Sequence, residues 1–232
     1  MISQPLEKIL FFDIETVGIE KNLESLEKNR PHLHSVFMRY IDWFKKRFPE
    51  DENLWAEAIF PNRSALIPEF AKIVCFSAGY LNKGEFKLKN MFNEDEKELL
   101  LEVREFLDKI HGLNFMLCGH NIKTFDMPML SKRMIINGIR PPQILPTYAT
   151  KPWDVKVIDT KEFWQFNNNY TLSSLDLVCA SMNVESPKLG DVVGNKVHNE
   201  FWSTGNLTAI SDYCSKDVES TFHIVKKLFE LQ

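Results

Sequence analysis

Three short groups of residues in this 232-residue chain carry side chains able to do chemistry together. The first is Asp13-Ile14-Glu15, which ends the apolar run Ile9-Leu10-Phe11-Phe12. Side chains alternate along a strand, so Asp13 and Glu15 point to one face with their Cα atoms about 6 to 7 Å apart. Two like charges held that close need a cation between them, or one gives up its ionisation. Carboxylate oxygens are hard ligands, and Mg²⁺ or Mn²⁺ suits them. Taken alone, the pair reads equally well as a strand running out into a polar turn. The second group is Asn121 to Asp126, at a junction between a short apolar strand and a helix. Asp126 in the first turn of that helix complements its dipole, and by itself needs no other role. The third group is Tyr213 and Asp217, four residues apart and therefore on one face of a helix. Asp217 borders the apolar stripe of that helix, a costly place for a carboxylate without a partner.

The bulk composition bounds what these residues can serve. The chain is 44% hydrophobic and 26% charged with 18 Phe, enough apolar material for one large α/β domain. Its formal net charge is -4, so no global basic field draws in a polyanion. Contact with nucleic acid must come from a local basic patch or from cations bound to the acidic side chains. Cys75, Cys118, Cys179 and Cys214 are widely spaced and include no C-x-x-C pair, so they read as reduced core thiols. No secretory signal is visible near Glu7, and no run approaches the roughly 20 apolar residues of a membrane span. A soluble, cytoplasmic protein with no membrane partner is expected.

The elements that must position the chemistry follow from periodicity and turn chemistry. After the opening strand, Val17-Gly18 should break the extended pattern. A helical segment at about 18–68 follows, interrupted by Pro31, Pro49, Pro61 and Pro68. In it, Val36, Phe37, Tyr40, Ile41, Phe44 and Phe48 recur at helical spacing. Lys45-Lys46-Arg47 reads as a solvated face or, because this segment leaves directly from the carboxylate strand, as a substrate-contacting wall of a site. Strands are expected over Lys72–Tyr80 and Glu85–Phe92, with hairpin chemistry at Asn82-Lys83-Gly84. A helix should begin at Asn93, with Glu96 completing a capping box, and end at Gly112. The strand Asn114–Cys118 then leads to a helix closed by Gly138. A Pro-rich connection from Pro141 to Trp153 belongs at the rim of a cleft. A fifth strand, Val155–Thr160, ends in Asp159, either a rival carboxylate or the cap of the following turn. Helices at Glu162–Phe166 and Thr171–Met182 and a polar loop with Lys188, Gly190, Gly194 and Lys196 come next. The last element is a strongly amphipathic helix from Leu207 to Leu231, capped by Asn206. His120 reads as a packed imidazole without a catalytic role.

The phrases Phe-Phe-Asp-Ile-Glu-Thr, Gly-His-Asn-Ile-Lys-Thr-Phe-Asp and Asp-Tyr-Cys-Ser-Lys-Asp-Val, in this order, resemble the three exonuclease motifs of the DEDD superfamily of 3′-5′ exonucleases. The likeness is to the tyrosine subtype and, within it, to predicted exonucleases related to family-B DNA polymerase proofreading domains. The sister subtype carries histidine five residues before the last aspartate, where this chain has Asp212; Tyr213 holds the tyrosine position. The resemblance spans most of residues 1–232 as a single exonuclease domain, with the segment at about 18–68 as a helical insertion. It implies an α/β, ribonuclease-H-like fold, a five-stranded mixed sheet flanked by helices. It also implies two-metal phosphodiester hydrolysis with Mg²⁺ or Mn²⁺, at the 3′ end of nucleic acid, single-stranded DNA being favoured, to give nucleoside 5′-monophosphates.

By the same likeness Asp13 bridges two cations, Glu15 and Asp217 complete the water-activating site, and Asp126 supports the second cation. Tyr213 orients the attacking water; a phenol is a poor general base at neutral pH. Asn121 either bonds the terminal nucleotide or steadies the turn to Asp126. Phe125 can stack on a terminal base, whereas Phe12 is better placed in the core. Thr16, Lys151 and Lys188 are expected substrate contacts, with Lys196 a further candidate. RNA, very short oligonucleotides, or binding without catalysis are the alternatives. A polymerase or repair protein acting in trans is the protein partner the resemblance allows.

Overall fold

The computed structural model describes residues 5–147, 149–151, 155, 157–168, 173–186 and 197–230. Five strands, β1 (Ile9–Gly18), β2 (Ala71–Asn82), β3 (Glu85–Phe92), β4 (Met116–Gly119) and β5 (Val157–Asp159), form one sheet in the order β3-β2-β1-β4-β5. β1, β2 and β3 pair antiparallel, while β1, β4 and β5 pair parallel. The connections explain the mixture. Lys83 and Gly84 both take positive φ, 52° and 84°, the two-residue turn that sends β3 straight back along β2. Between β3 and β4 comes the helix α5 (Glu96–Gly112), a crossover long enough to let β4 run parallel to β1. The sheet is the mixed, helix-flanked α/β sheet expected from the sequence.

Among the described residues the other α-helices are α1 (Leu23–Asn29), α2 (Pro31–Arg39), α3 (Ile41–Arg47), α4 (Ala56–Arg63), α6 (Asp126–Ile136), α7 (Thr160–Gln165), α8 (Leu175–Ser181), α9 (Val197–Thr204) and α10 (Leu207–Glu230). β1 is buried on both faces because helices cover each side. Leu10, Phe12 and Ile14 pack with Leu99, Leu100 and Val103 of α5 and Met127, Leu130 and Met134 of α6. Ile9 and Phe11 pack instead against Val218, Phe222 and Val225 of α10. By the same alternation Asp13 and Glu15 belong to the α10 side. α10 is held at its start by Asn206, whose side-chain oxygen accepts the Ala209 N–H at 3.1 Å. No helix among the described residues is long and apolar enough to cross a membrane.

Several boundaries differ from the sequence expectation, each for a local reason. β1 does not break at Val17-Gly18. A bulge between Glu15 and Thr16 shifts the register, after which Val17 and Gly18 stay paired with Lys72 and Ala71. The Gly18 N–H donates to His198 Nδ1 at 3.0 Å, and Gly18 O accepts from Trp202 Nε1 at 3.2 Å. Both side chains come from α9, a helix not foreseen because Val197–Thr204 has little periodic apolar pattern of its own. The helical stretch around Phe37 and Phe44 is two helices, α2 and α3, split at Tyr40 (φ -98°, ψ 5°). With α1 and α4 it buries its own core of Leu26, Phe37, Phe44, Ile59, Phe60 and Phe70.

α5 begins at Glu96 and is capped by Asp95, which accepts the N–H groups of Lys97 and Glu98, rather than starting at Asn93. Glu96 turns inward, where its carboxylate accepts the Ile73 N–H at 2.7 Å and a two-point contact from buried Arg133. Helix α8 starts at Leu175, later than Thr171; residues 171 and 172, and the loop with Lys188, Gly190, Gly194 and Lys196, lie outside the described residues.

Candidate active site

The site forms where β1 outlasts β4. β4 pairs with β1 only as far as Phe11 opposite Cys118, so beyond that point one edge of β1 has no strand beside it. The Ile14 N–H donates to Asp126 Oδ1 at 3.2 Å, so that a carboxylate takes the place of a missing strand carbonyl. Asp126 reaches that edge because the turn before it is tight. Asn121 adopts φ 67°, and its carbonyl accepts the Phe125 N–H at 3.1 Å. A Cβ on Gly119 would strike the Ile122 side chain and lie 2.7 Å from Phe12 O, so only glycine lets the turn approach β1 this closely.

Asp159 clamps the same turn from the far side. Its Oδ1 accepts the N–H groups of Asn121 at 2.8 Å and Lys161 at 3.0 Å, and its Oδ2 accepts that of Lys123 at 3.0 Å. Of its two expected readings, Asp159 is the cap. His120 is likewise committed to packing: Nε2 lies 2.7 Å from Ser173 O and Nδ1 2.9 Å from Thr160 Oγ1, and burial holds its pKa below the usual imidazole value.

The third group arrives on α10. Cys214 points its thiol at β1, 3.4 Å from both Asp13 O and Asp13 Oδ2. Tyr213 precedes it and Asp217 follows one turn later, both half-buried. The Asp13 carboxyl is pushed well above the usual carboxylate range by burial, then by the charges of Asp126, Asp217 and Glu15, with the Cys214 thiol opposing. Glu15 is pushed up too, by burial and then by Asp217, Cys75 and Asp126. Asp126 rises to about 7 through burial, against hydrogen bonds from its own N–H and that of Ile14, with Asp159 and Asp217 adding to the rise. Asp13, Glu15, Asp126 and Asp217, drawn from distant parts of the chain, thus stand close enough to oppose one another's ionisation.

Such a group is suited to divalent cations, since a bound cation reverses the penalty that like charges and burial impose. Ligand atoms of Asp13, Glu15 and Cys214 all lie within 4.8 Å of one another, room for one ion. Cys214 was expected only as a core thiol. The signal for more was its place between Tyr213 and Asp217, on the Ile210–Cys214–Val218 stripe that has to face β1. Cys75, opposite Glu15 in β2, hydrogen-bonds Cys214, which lowers its pKa.

The remaining expected site residues are more scattered. Thr16 donates its hydroxyl to Ala65 O at 2.9 Å, tying β1 to the chain just after α4. Asn121 Oδ1 accepts from Thr124 Oγ1 at 2.6 Å and from Lys161 Nζ at 3.0 Å, which steadies the turn to Asp126. Phe125 is half-buried against the main core, and Phe12 is stacked on Phe76 within it. Lys151 is exposed on the connection after Pro141, and Lys188 lies outside the described residues.

Comparison with known proteins agrees with this architecture. The chain is similar to the family B DNA polymerase of the hyperthermophilic archaeon Pyrobaculum calidifontis, with a TM-score of 0.60 over 97% of this chain at 17% identity. That likeness concerns the fold, and the chain spans 25% of the polymerase chain it matches. No curated protein matches. Residues 65–231 match a family described as predicted 3′-5′ exonucleases related to the exonuclease domain of PolB. The matched span holds Asp126, Tyr213 and Asp217, and the contacts of Ile14 with Asp126 and of Asp13 with Cys214 join β1 to it. The match covers well over half of the sequence, and the chain belongs to this family of predicted 3′-5′ exonucleases.

Proposed function

We propose that the protein removes nucleotides one at a time from the 3′ end of single-stranded DNA, using Mg²⁺ or Mn²⁺ and releasing nucleoside 5′-monophosphates. The observation that carries this reading is the convergence of Asp13, Glu15, Asp126 and Asp217 in one place, where burial first and then one another's charges raise the pKa of Asp13, Glu15 and Asp126. Such an arrangement repels a phosphodiester unless cations intervene. Asp13, Glu15 and Asp217 would hold one cation, and Asp126 with Asp13 a second. Bound divalent ions supply neutralisation of the phosphate and a lowered pKa for the attacking water.

The chain's own residues do the positioning. The Cys214 thiol holds the Asp13 carboxylate in one orientation, and the Ile14 N–H does the same for Asp126. The Tyr213 hydroxyl orients the water for in-line attack, and Phe125 stacks on the terminal base. Residues 1–232 act as one exonuclease domain, with the segment at about 18–68 a helical insertion that leaves from the end of β1.

Purified protein with Mg²⁺ or Mn²⁺ should shorten 5′-labelled single-stranded DNA stepwise from its 3′ end, and EDTA should stop it. Asp13→Asn and Asp217→Asn should each lose about 10²-fold or more while melting cooperatively, and Tyr213→Phe should lose less. Parent-like rates from both aspartate variants would refute the roles given to those residues. Parallel digestion of RNA and of dinucleotides identifies the preferred substrate.

A further inference from the structure

The segment between β1 and β2 contains a surface that the reaction at the carboxylates does not use. Leu33, Val36, Tyr40, Trp43, Ile67 and Phe70 line an open groove of about 540 Å³, with an ion pair between Lys132 and Glu69 at 3.7 Å on its rim. Tyr40 and Trp43 are large aromatic side chains left 52% and 45% exposed, more than core packing accounts for. The charge around them is the reverse of the chain's. Against an overall net charge of -4, residues 28–48 carry Lys28, Arg30, Arg39, Lys45, Lys46 and Arg47 and the single acid Asp42. Arg30 is engaged with Glu20 at 3.1 Å, whereas Arg39, Lys46 and Arg47 are exposed. Lys46 and Arg47 follow Trp43 by three and four residues on α3, so the cationic turn continues the line of the indole.

Exposed aromatic faces beside a row of cations are the two parts of a single-strand platform: the rings stack on bases and the cations track the phosphates. An apolar partner helix would match the groove but not the cations. We propose that this groove and the α3 basic turn bind the single-stranded segment upstream of the scissile bond. The proposal rests on the exonuclease reading and gives it a substrate length. Phe70 stands five residues before Cys75, which pairs with Glu15, a distance of about 16 Å along the strand. At about 3.4 Å per stacked nucleotide, that span holds roughly five nucleotides. Oligonucleotides much longer than this engage the platform, and di- and trinucleotides reach only the carboxylates.

The test uses the whole chain in EDTA, with fluorescence anisotropy of a 5′-labelled oligodeoxynucleotide of about twelve nucleotides, against the Lys45→Glu/Lys46→Glu and Trp43→Ala variants. Both variants should bind at least about tenfold more weakly, and the charge variant should show a shallower dependence of log Kd on log salt, by about 0.7 for each phosphate it no longer neutralises. With Mg²⁺, both should still hydrolyse trinucleotides at the parent rate. Parent-like binding by both variants overturns the proposal. So does weakening confined to Trp43→Ala with an unchanged salt dependence, which would give the groove to an apolar protein partner. A parent protein that binds the oligonucleotide as described yet hydrolyses nothing would overturn the exonuclease reading and leave the platform standing.

Discussion

Replacing Asp126 with Asn should make the cation-free protein more stable, and the gain should grow with pH. Asp126 ionises near 3.8 in an unfolded chain and at about 7 in the folded one. Between those values the folded form binds the extra proton, so the parent loses stability as the pH rises from about 4 to about 7. At about 1.36 kcal/mol per pKa unit, the full penalty above pH 7 is about 4 kcal/mol. Asn keeps an oxygen to accept the Ile14 N–H but has one acceptor fewer for the helix start, which returns about 1 kcal/mol. The net gain is about 3 kcal/mol, or roughly 6 to 12 °C in Tm for a chain of this size.

Thermal melts in EDTA from pH 5 to 8.5 provide the assay. His120 and His198, both held below the usual imidazole pKa by burial, add their own pH dependence, but equally to parent and variant. The difference between the two curves therefore reports Asp126 together with the relief that losing its charge gives Asp13 and Glu15, which acts in the same direction. It should be small at pH 5 and largest above pH 7, and saturating Mn²⁺ should shrink or reverse it by stabilising the parent more. A difference that does not vary with pH, or a parent more stable than the variant at pH 8 in EDTA, would refute the reasoning.

Other perturbations test the frame around the site. Arg133→Met leaves buried Glu96 without its ion-pair partner and should cost about 3 to 5 kcal/mol in urea unfolding. The double change Glu96→Leu/Arg133→Met should cost less than that. Gly119→Ala puts a methyl against Phe12 O and should cost about 1 to 3 kcal/mol and weaken Mn²⁺ binding. Gly112→Ala, with open space around the new methyl, should be neutral or stabilise by up to about 1 kcal/mol. Cys214→Val removes the donor to Asp13 and should raise the Kd for Mn²⁺ at neutral pH, whereas Cys214→Ser, which keeps a donor, should change it less.

The elements with strong periodicity were readable without coordinates. The continuous apolar run Ile9-Leu10-Phe11-Phe12 is imposed by burial of β1 on both faces, and the three- and four-residue steps of α10 by burial of one face; burial leaves those patterns whatever the neighbours are. Turn chemistry at Lys83-Gly84 was equally local, since few residues accept two successive positive φ values. Elements that owe their form to distant contacts were not readable. α9 exists because His198 and Trp202 bond the end of β1, 180 or more residues earlier in the chain, and Val17-Gly18 stay extended for the same reason.

The candidate site divides along the same line. The sequence alone determined that acids occur on the first strand, at strand-to-helix junctions and on the last helix, with a tyrosine one turn before the final one; that the first strand runs on past them to Gly18 it did not show. Position in the elements did not separate Asp126 from Asp159, because each is an acid at the start of a helix after a strand; the motif resemblance favoured Asp126. Only the tertiary structure shows what engages each of them. Asp159 spends both oxygens on three N–H groups of neighbouring turns, whereas Asp126 lies buried on the edge of β1 that the shorter β4 leaves open, where burial raises its pKa and Asp159 and Asp217 add to the rise. The physical reason is that a carboxylate's role depends on which donors and charges reach it through space, and helix and strand periods record only which face it occupies.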